Sequence, residues 1–382
     1  MWQKRAPVGH SQVGRHSRSP LPKSYAYSTV NASVPASVKT KLQHTLSEKS
    51  VQRRRNFFIW APSLRLIGGL HLDAHSPITV ASLYRWLTLL LSKPHEFNLY
   101  PVEILPTYAI FRYLAQPVGD ALPRDSQECL RPGDVGVFVP GEDQTRFQYD
   151  VHFAGMQITY AEEEASSREA YRNHMTESFI EEVQTRDGHR CVLTGASSTD
   201  VPLAVCWIVL PCSIRHVRYY QGPEMTPVLA DMTSYYAISN AWTLRADLAE
   251  LFKSNQWGID VGDNCRVVFF GLYDSYSGLL PQVPSNLPLS GPICERLTEH
   301  FARCLSYNIL GGDILDKYDG FDVSGYLEDL GYFDGDDLDP ADPGWQTELG
   351  KEVWELRFRL KCEERQNRSS QRNTDATDSD NQ

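Results

Sequence analysis

The chain has 382 residues, 41% of them hydrophobic, and a formal net charge of −11, which leaves room for two modest domains with buried cores plus polar tails. No apolar run approaches the roughly 18 residues that a bilayer-crossing helix needs; the longest, Trp86–Leu91, is cut off by Ser92, Lys93 and Pro94, so a spanning helix is set aside. The start MWQKRAPVGH lacks the apolar centre of a secretory signal, so we expect an intracellular, reducing setting, cytoplasmic or nuclear, with no membrane partner. The eight cysteines are then expected as free thiols: no Cys-x-x-Cys occurs, and Cys206 and Cys212 are badly spaced for zinc.

Charge is divided along the chain. Residues 1–55 hold eleven Lys or Arg and one acid, Glu48, whereas 313–348 hold twelve acids and a single base, Lys317. The basic arm, 1–55, is rich in Ser, Pro and His and is expected to be disordered. It can be read as a solvated tail, as a nuclear or nucleic-acid-contacting arm ending in Arg53, Arg54 and Arg55, or as a mitochondrial presequence. Pro7, Pro20 and Pro22 weaken the last reading, because they interrupt the helix that a presequence forms.

Ordered structure is expected from Asn56. FFIWAP predicts a short strand, Gly68-Gly69 a flexible pair, and Leu83, Trp86, Leu87, Leu90 and Leu91 a buried helix over 80–91. A second helix over Tyr108–Leu114, a strand in GDVGVFVPG and a hairpin through Phe147–Tyr160 complete a small mixed α/β domain, 56–165. It carries no phosphate loop, nucleophile elbow or His-Glu-x-x-His pair, so no chemistry is assigned to it.

After a polar connection, Ser178-x-x-Glu181 has the form of a capping box for a helix ending at Arg186 that buries Phe179, Ile180 and Val183. Cys191–Leu193 and Leu203–Leu210 read as the two strands of a hairpin. Arg245–Ser254 reads as a helix with Leu248, Leu251 and Phe252 on one face, and Arg266–Leu272 as a closing strand.

The phrases RDGHRCVLTG, LAVCWIVLP and SNAWTLRADLAELFKSNQWGIDV, in that order, resemble the HNH nuclease domain found in many fungal proteins. The resemblance implies an α+β fold: the small N-terminal α/β domain, then an HNH-like ββα module over 171–312 with C-terminal helices. In that family the second strand ends in a phrase like Ala-His-Ile-x-Pro, whose histidine is the general base; here Cys206-Trp207-Ile208-Val209-Leu210-Pro211 puts Trp207 there. The family's later phrase, Asn-Gly-x-x-Leu-x-x-x-Leu-His-x-x-Phe-Asp, keeps its asparagine as Asn240, but its histidine is Ala249 and its closing aspartate Lys253. An indole takes no proton from water, a methyl group binds no metal, and an ammonium repels one. The resemblance thus implies a degenerate frame with no catalytic residue, no metal and no cofactor.

Three functions are compatible with this frame. The first is a nuclease-inactive binding or scaffold module. The second is an accessory protein or enzyme of a small-molecule pathway, holding an apolar ligand in a cleft of Cys206, Trp207, His216, Asn240, Trp242 and Trp257. The third is a divalent-metal nuclease with relocated ligands among His189, His216, Asp231, Asp247 and Glu250. Bland roles compete with this: a solvated turn or loop for the two histidines, and the polar face of a helix for Asp247 and Glu250. Asn240 itself can simply shape a turn. Residues 171–270 hold eight bases against eleven acids, which argues against a strong nucleic-acid surface in the module. Beyond it, Cys294–Leu305 predicts a helix, 313–344 an acidic loop whose spacing fails a calcium loop, 345–366 a helix with Leu349, Val353, Leu356 and Leu360 on one side, and 367–382 a disordered tail.

Overall fold

The computed structural model describes residues 44–62, 65–73, 75–91, 96–107, 110–140, 173–211, 232–271, 277–278, 283–318, 325, 328 and 341–379, with backbone alone from 367 onward. The fold is α+β. Five strands, β1 (Phe57–Trp60), β2 (Leu66–Leu70), β3 (Asn98–Pro106), β4 (Tyr113–Pro117) and β5 (Gly133–Phe138), form one sheet in the order β2-β1-β5-β3-β4. Only the β1–β5 pair is parallel.

The unbroken apolar run of β1 is explained by burial on both faces. Phe57 and Ile59 point into a core roofed by α2 (Val80–Leu90), which is capped by Thr79 and buries Leu83, Trp86, Leu87 and Leu90. Phe58 and Trp60 point the other way, onto Leu66, Val102, Ala115 and Phe138. The His44 ring stands edge-on to Phe58 and Trp60 at 4.6 and 4.8 Å, and α1 (Glu48–Gln52) follows it, capped by Ser47. The last part of the basic arm is therefore folded, and structure begins before Asn56; residues 1–43 lie outside the described residues.

Other expectations need correction. Gly68 and Gly69 are buried within β2, where a side chain on Gly68 would collide with the carbonyl of Ile309. No helix forms between Tyr113 and Leu114, which instead belong to β4; Leu114 pairs with Leu105 and Tyr113 with Pro106 around a turn in which Phe111 takes φ +51°. A seven-residue helix is marginal by itself, and pairing with β3 outweighs it. The expected hairpin over 147–160 lies outside the described residues.

In the second half, α3 (Glu177–Arg186) is capped by Thr176, whose hydroxyl accepts from Phe179 N–H, so Ser178 lies inside the first turn and the expected capping box is not the cap. Of its expected apolar face only Val183 is fully buried. Strand β6 (Leu203–Trp207) pairs antiparallel with β7 (Ala241–Arg245), not with Cys191–Leu193. The latter is a turn closed by Cys191 N–H on the Ala196 carbonyl, with Gly195 at φ +72°. Helix α4 (Ala246–Lys253) follows β7 directly, and β8 (Trp257–Asp260) pairs with β9 (Arg266–Phe269).

Helix α5 (Pro292–Ile309) is a wall shared by both halves. Its Leu297 sits in the cluster formed by the β6–β7 ladder and α4, while Phe301, Leu305 and Ile309 sit in the cluster under the five-stranded sheet. The boundary expected near 165–171 therefore does not divide the core, and Leu42–Gln382 forms one compact unit. Most of the acidic stretch lies outside the described residues, but Asp313 is buried, accepting from Leu66 N–H at 3.0 Å and Leu315 N–H at 2.9 Å. Burial pushes its carboxyl up.

Helix α6 (Glu348–Ser379) docks through Leu349 and Val353 onto Phe111, Ile314 and Trp345. Its backbone runs on through residue 367, where composition predicts disorder. Once the docked turns have nucleated a helix, each further residue adds a hydrogen bond at small entropic cost. Seven cysteines are free thiols, and Cys212 lies outside the described residues. No helix among the described residues is long and apolar enough to cross a membrane.

Candidate functional site

The positions singled out by the resemblance meet on the β6–β7 ladder and α4. Register places Cys206 opposite Trp242 and Trp207 opposite Ala241, with α4 leaving the end of β7. α3 fixes the outer edge of this unit. Arg186, paired with Asp187 at 2.8 Å, donates to the Ala241 carbonyl, and the Asp187 carboxylate accepts from Thr243 N–H at 2.7 Å.

Trp207, at the position of the family's base, is 7% exposed and belongs to a small cluster with Val183 and Ala241. Its ring lies 4.8 Å from that of Phe179 and 6.0 Å from that of Tyr236, and its indole N–H donates to the Asn173 carbonyl at 2.8 Å. The side chain is thus satisfied at both its apolar and its polar end. Ala249 is fully buried against the hairpin. Lys253 is 47% exposed and pairs with Glu250 at 2.8 Å, one turn earlier.

Asn240 is fully buried and acts as a backbone staple. Its side-chain oxygen accepts from Val209 N–H at 3.0 Å, and its amide donates to the carbonyls of Val209 and Tyr235, both at 2.8 Å. The Asn240 carbonyl takes Ile208 N–H at 2.8 Å. Together these bonds tie the end of β6 to the start of β7 and to Tyr235 just ahead of it.

Among the described residues, those expected to line a ligand cleft form none. Cys206 and Trp242 are buried within the hairpin core, where Trp242 stacks on Trp257 at 5.9 Å and meets Phe252 at 4.9 Å. Large aromatics packed on each other leave no room between them. Burial pushes the Cys206 thiol up to about 12, partly offset by the charge of Lys253, so it stays protonated and unreactive at neutral pH. His216 and Asp231 lie outside the described residues. His189 is an exposed turn residue at φ +51°, its N–H closing the end of α3 on the Gln184 carbonyl. Asp247 pairs with Arg245 at 2.7 Å. Among the described residues no three His, Cys, Asp or Glu side chains gather in a way that could hold a metal ion.

The Arg53-Arg54-Arg55 run is also differently employed. Arg55 is 6% exposed, and its guanidinium donates to the carbonyls of Asn308 at 2.8 Å, Ile309 at 3.1 Å and Gly311. Lys49 donates to Leu310 at 2.8 Å, and Arg53 to Tyr307 at 2.8 Å while stacking over the Tyr307 ring. Three cations thus cap the last turn of α5, where unpaired carbonyls carry the negative end of the helix dipole. Burial, then mutual repulsion, lowers Arg55 to about 9 and Lys49 to about 8. A guanidinium so enclosed is not a phosphate contact, and of the three only Arg54 is exposed.

Sequence reasoning missed two buried polar sites. Asp260, 1% exposed, accepts from Arg85 at 2.8 Å and from the Trp86 indole N–H at 2.7 Å, joining α2 to β8. His300 stacks on Phe252 at 3.6 Å with Nε2 3.2 Å from the Phe252 carbonyl, and the Cys304 thiol lies 3.4 Å from Nδ1. The i, i+4 spacing of His300 and Cys304 on a predicted helix was the available signal for the second. Burial, with Arg303 nearby, lowers His300 to about 3, which keeps it neutral. Neither His300 nor Cys304 is open to solvent, so the pair is a packing element and not a nucleophile with its base. Comparison with protein-family models, with curated proteins and with solved structures finds no match for this chain.

Proposed function

We propose that the chain is a nuclease-inactive HNH-like protein in which the ββα frame, β6, β7 and α4, serves as a binding or scaffold module. The observation that carries this reading is the seating of Trp207. Where the resemblance calls for a base facing water and a scissile phosphate, the indole is packed on Phe179 and hydrogen-bonded to the Asn173 carbonyl. Hydrolysis of a phosphodiester needs an activated water and a cation on the phosphate at the same place. Trp207, Ala249 and Lys253 offer neither, and Asn240, the polar residue of the family's later phrase that is kept, holds backbone.

The test is a supercoiled-plasmid assay on the full chain with Mg²⁺, Mn²⁺ or Zn²⁺. No conversion above that of buffer is expected with any of the three ions. Metal-stimulated nicking that follows the protein through two orthogonal columns would overturn the reading.

A further inference from the structure

Helix α6 has two apolar faces, and among the described residues only one is covered, apart from one edge of Trp354, which meets the Trp345 ring at 5.0 Å. Leu349, Val353 and Leu356 are buried against the body. About 180° around the helix, by the 100° advance per residue, Trp354 and Phe358 form a second stripe with Cys362 one turn beyond. Phe358 is 68% exposed, the most exposed of the large apolar side chains described, and Trp354 is 40% exposed. The three side chains line an open groove with Glu355 and Arg359. A helix that is apolar on its outer face is ordinarily covered by something.

We propose that a second copy of this chain covers it, packed antiparallel about a two-fold axis level with Arg357. The charge and apolar pattern is self-complementary in this arrangement alone. With a rise of about 1.5 Å per residue, the four aromatic rings then alternate along the seam as Trp354, the partner's Phe358, Phe358 and the partner's Trp354, spaced about 3 Å apart in height. The same register sets Glu355 level with the partner's Arg359 and Arg359 level with the partner's Glu355, on the one flank that an antiparallel pair brings together. An isologous contact of this kind closes on itself and leaves no apolar patch for further growth. A single helix pair is a small interface, so the dimer is expected to be reversible in the micromolar range. The proposal does not depend on the reading of β6, β7 and α4.

Sedimentation velocity on the full chain from about 1 to about 200 μM tests it against the range expected for small interfaces. Wild type should shift from monomer to dimer across that range, and Phe358→Glu should weaken association at least about tenfold. Glu355→Arg and Arg359→Glu should each weaken it comparably when alone, because each sets like charges level, and an equimolar mixture of the two should recover wild-type association. The antiparallel register separates the two Cys362 residues by about 15 Å, so no Cys362 cross-link should form on mild oxidation. A monomer at every concentration would overturn the proposal and leave the stripe to some other protein. So would a dimer indifferent to these substitutions, or a rapid Cys362–Cys362 cross-link, which this antiparallel register forbids.

Discussion

Two arginines join the five-stranded sheet layer to the second half of the chain, and they do so by opposite means. Arg55 reaches neutral backbone, the carbonyls of Asn308, Ile309 and Gly311, while Arg85 meets the buried carboxylate of Asp260, which also accepts from Trp86. At the first junction the charge is balanced by a helix end, among other cations; at the second it is balanced by carboxylates, the enclosed Asp260 at 2.8 Å and the more exposed Asp263 at 3.4 Å. The difference teaches that a buried cation is defined by its acceptor. A helix terminus spreads its negative end over several carbonyls, whereas an ion pair concentrates everything on one group.

The largest expected effect comes from breaking the concentrated junction. Asp260→Ala removes the acceptor of the Trp86 indole and the nearer of the two carboxylates on Arg85, leaving Asp263 at 3.4 Å, and should destabilise the fold by about 3 kcal/mol, because a buried donor without its acceptor keeps its desolvation penalty. The side chain of Arg85 is 32% exposed, and water reaching it keeps the loss near the low end of that class. Urea denaturation measures it, and Asp260→Asn, which keeps one acceptor, should recover part of the loss.

Arg55→Met should be milder, about 2 kcal/mol, since Lys49 and Arg53 remain at the same helix end and the methionine fills the stem. Arg55→Lys should recover little, because an ammonium lacks the planar fork that reaches two carbonyls together. A loss at Arg55 as large as that at Asp260 would erase the proposed contrast between neutral carbonyls and a buried carboxylate as acceptors.

Acid sharpens the comparison on the helix that both halves share. His300 is held at about 3 by burial against its ordinary 6.5. Between those values the unfolded chain binds a proton that the folded chain does not, so stability is complete above pH 6.5 and falls as pH drops toward 3. The slope attributable to this group is at most about 1.4 kcal/mol per pH unit. His300→Phe should flatten that part of a stability-against-pH curve from guanidinium titrations, and an unchanged slope would mean that His300 is protonated when folded.

Local features were legible in the sequence. The spacing of Leu83, Trp86, Leu87 and Leu90 located α2, and GDVGVF located β5, because short-range pattern decides both. What escaped was set by groups distant in sequence. Strand β6 was found but given the wrong partner, since β7 lies beyond an insertion and a nearer apolar stretch, Cys191–Leu193, matched as well. Thr176 and Ser178 carry the same capping chemistry, and only backbone geometry chose between them. The arginine run looked like a phosphate-binding arm because charge is visible in a sequence and carbonyls are not: the acceptors of Arg55 belong to residues more than 250 positions away. At the candidate site, the aligned phrases singled out Trp207 and Asn240, but not that one is pinned by Asn173 and the other by Val209.

The position of α5 in the chain also bears on how the protein is made. A nascent chain synthesised as far as β9 already contains every strand of the large sheet, yet Phe301, Leu305 and Ile309, which complete one of its faces, have still to be translated. Until they emerge, that face is bare and adhesive. Fragments ending before Pro292 should therefore aggregate, and the natural point at which the sheet becomes safe to release comes only after the ribosome has passed Leu310.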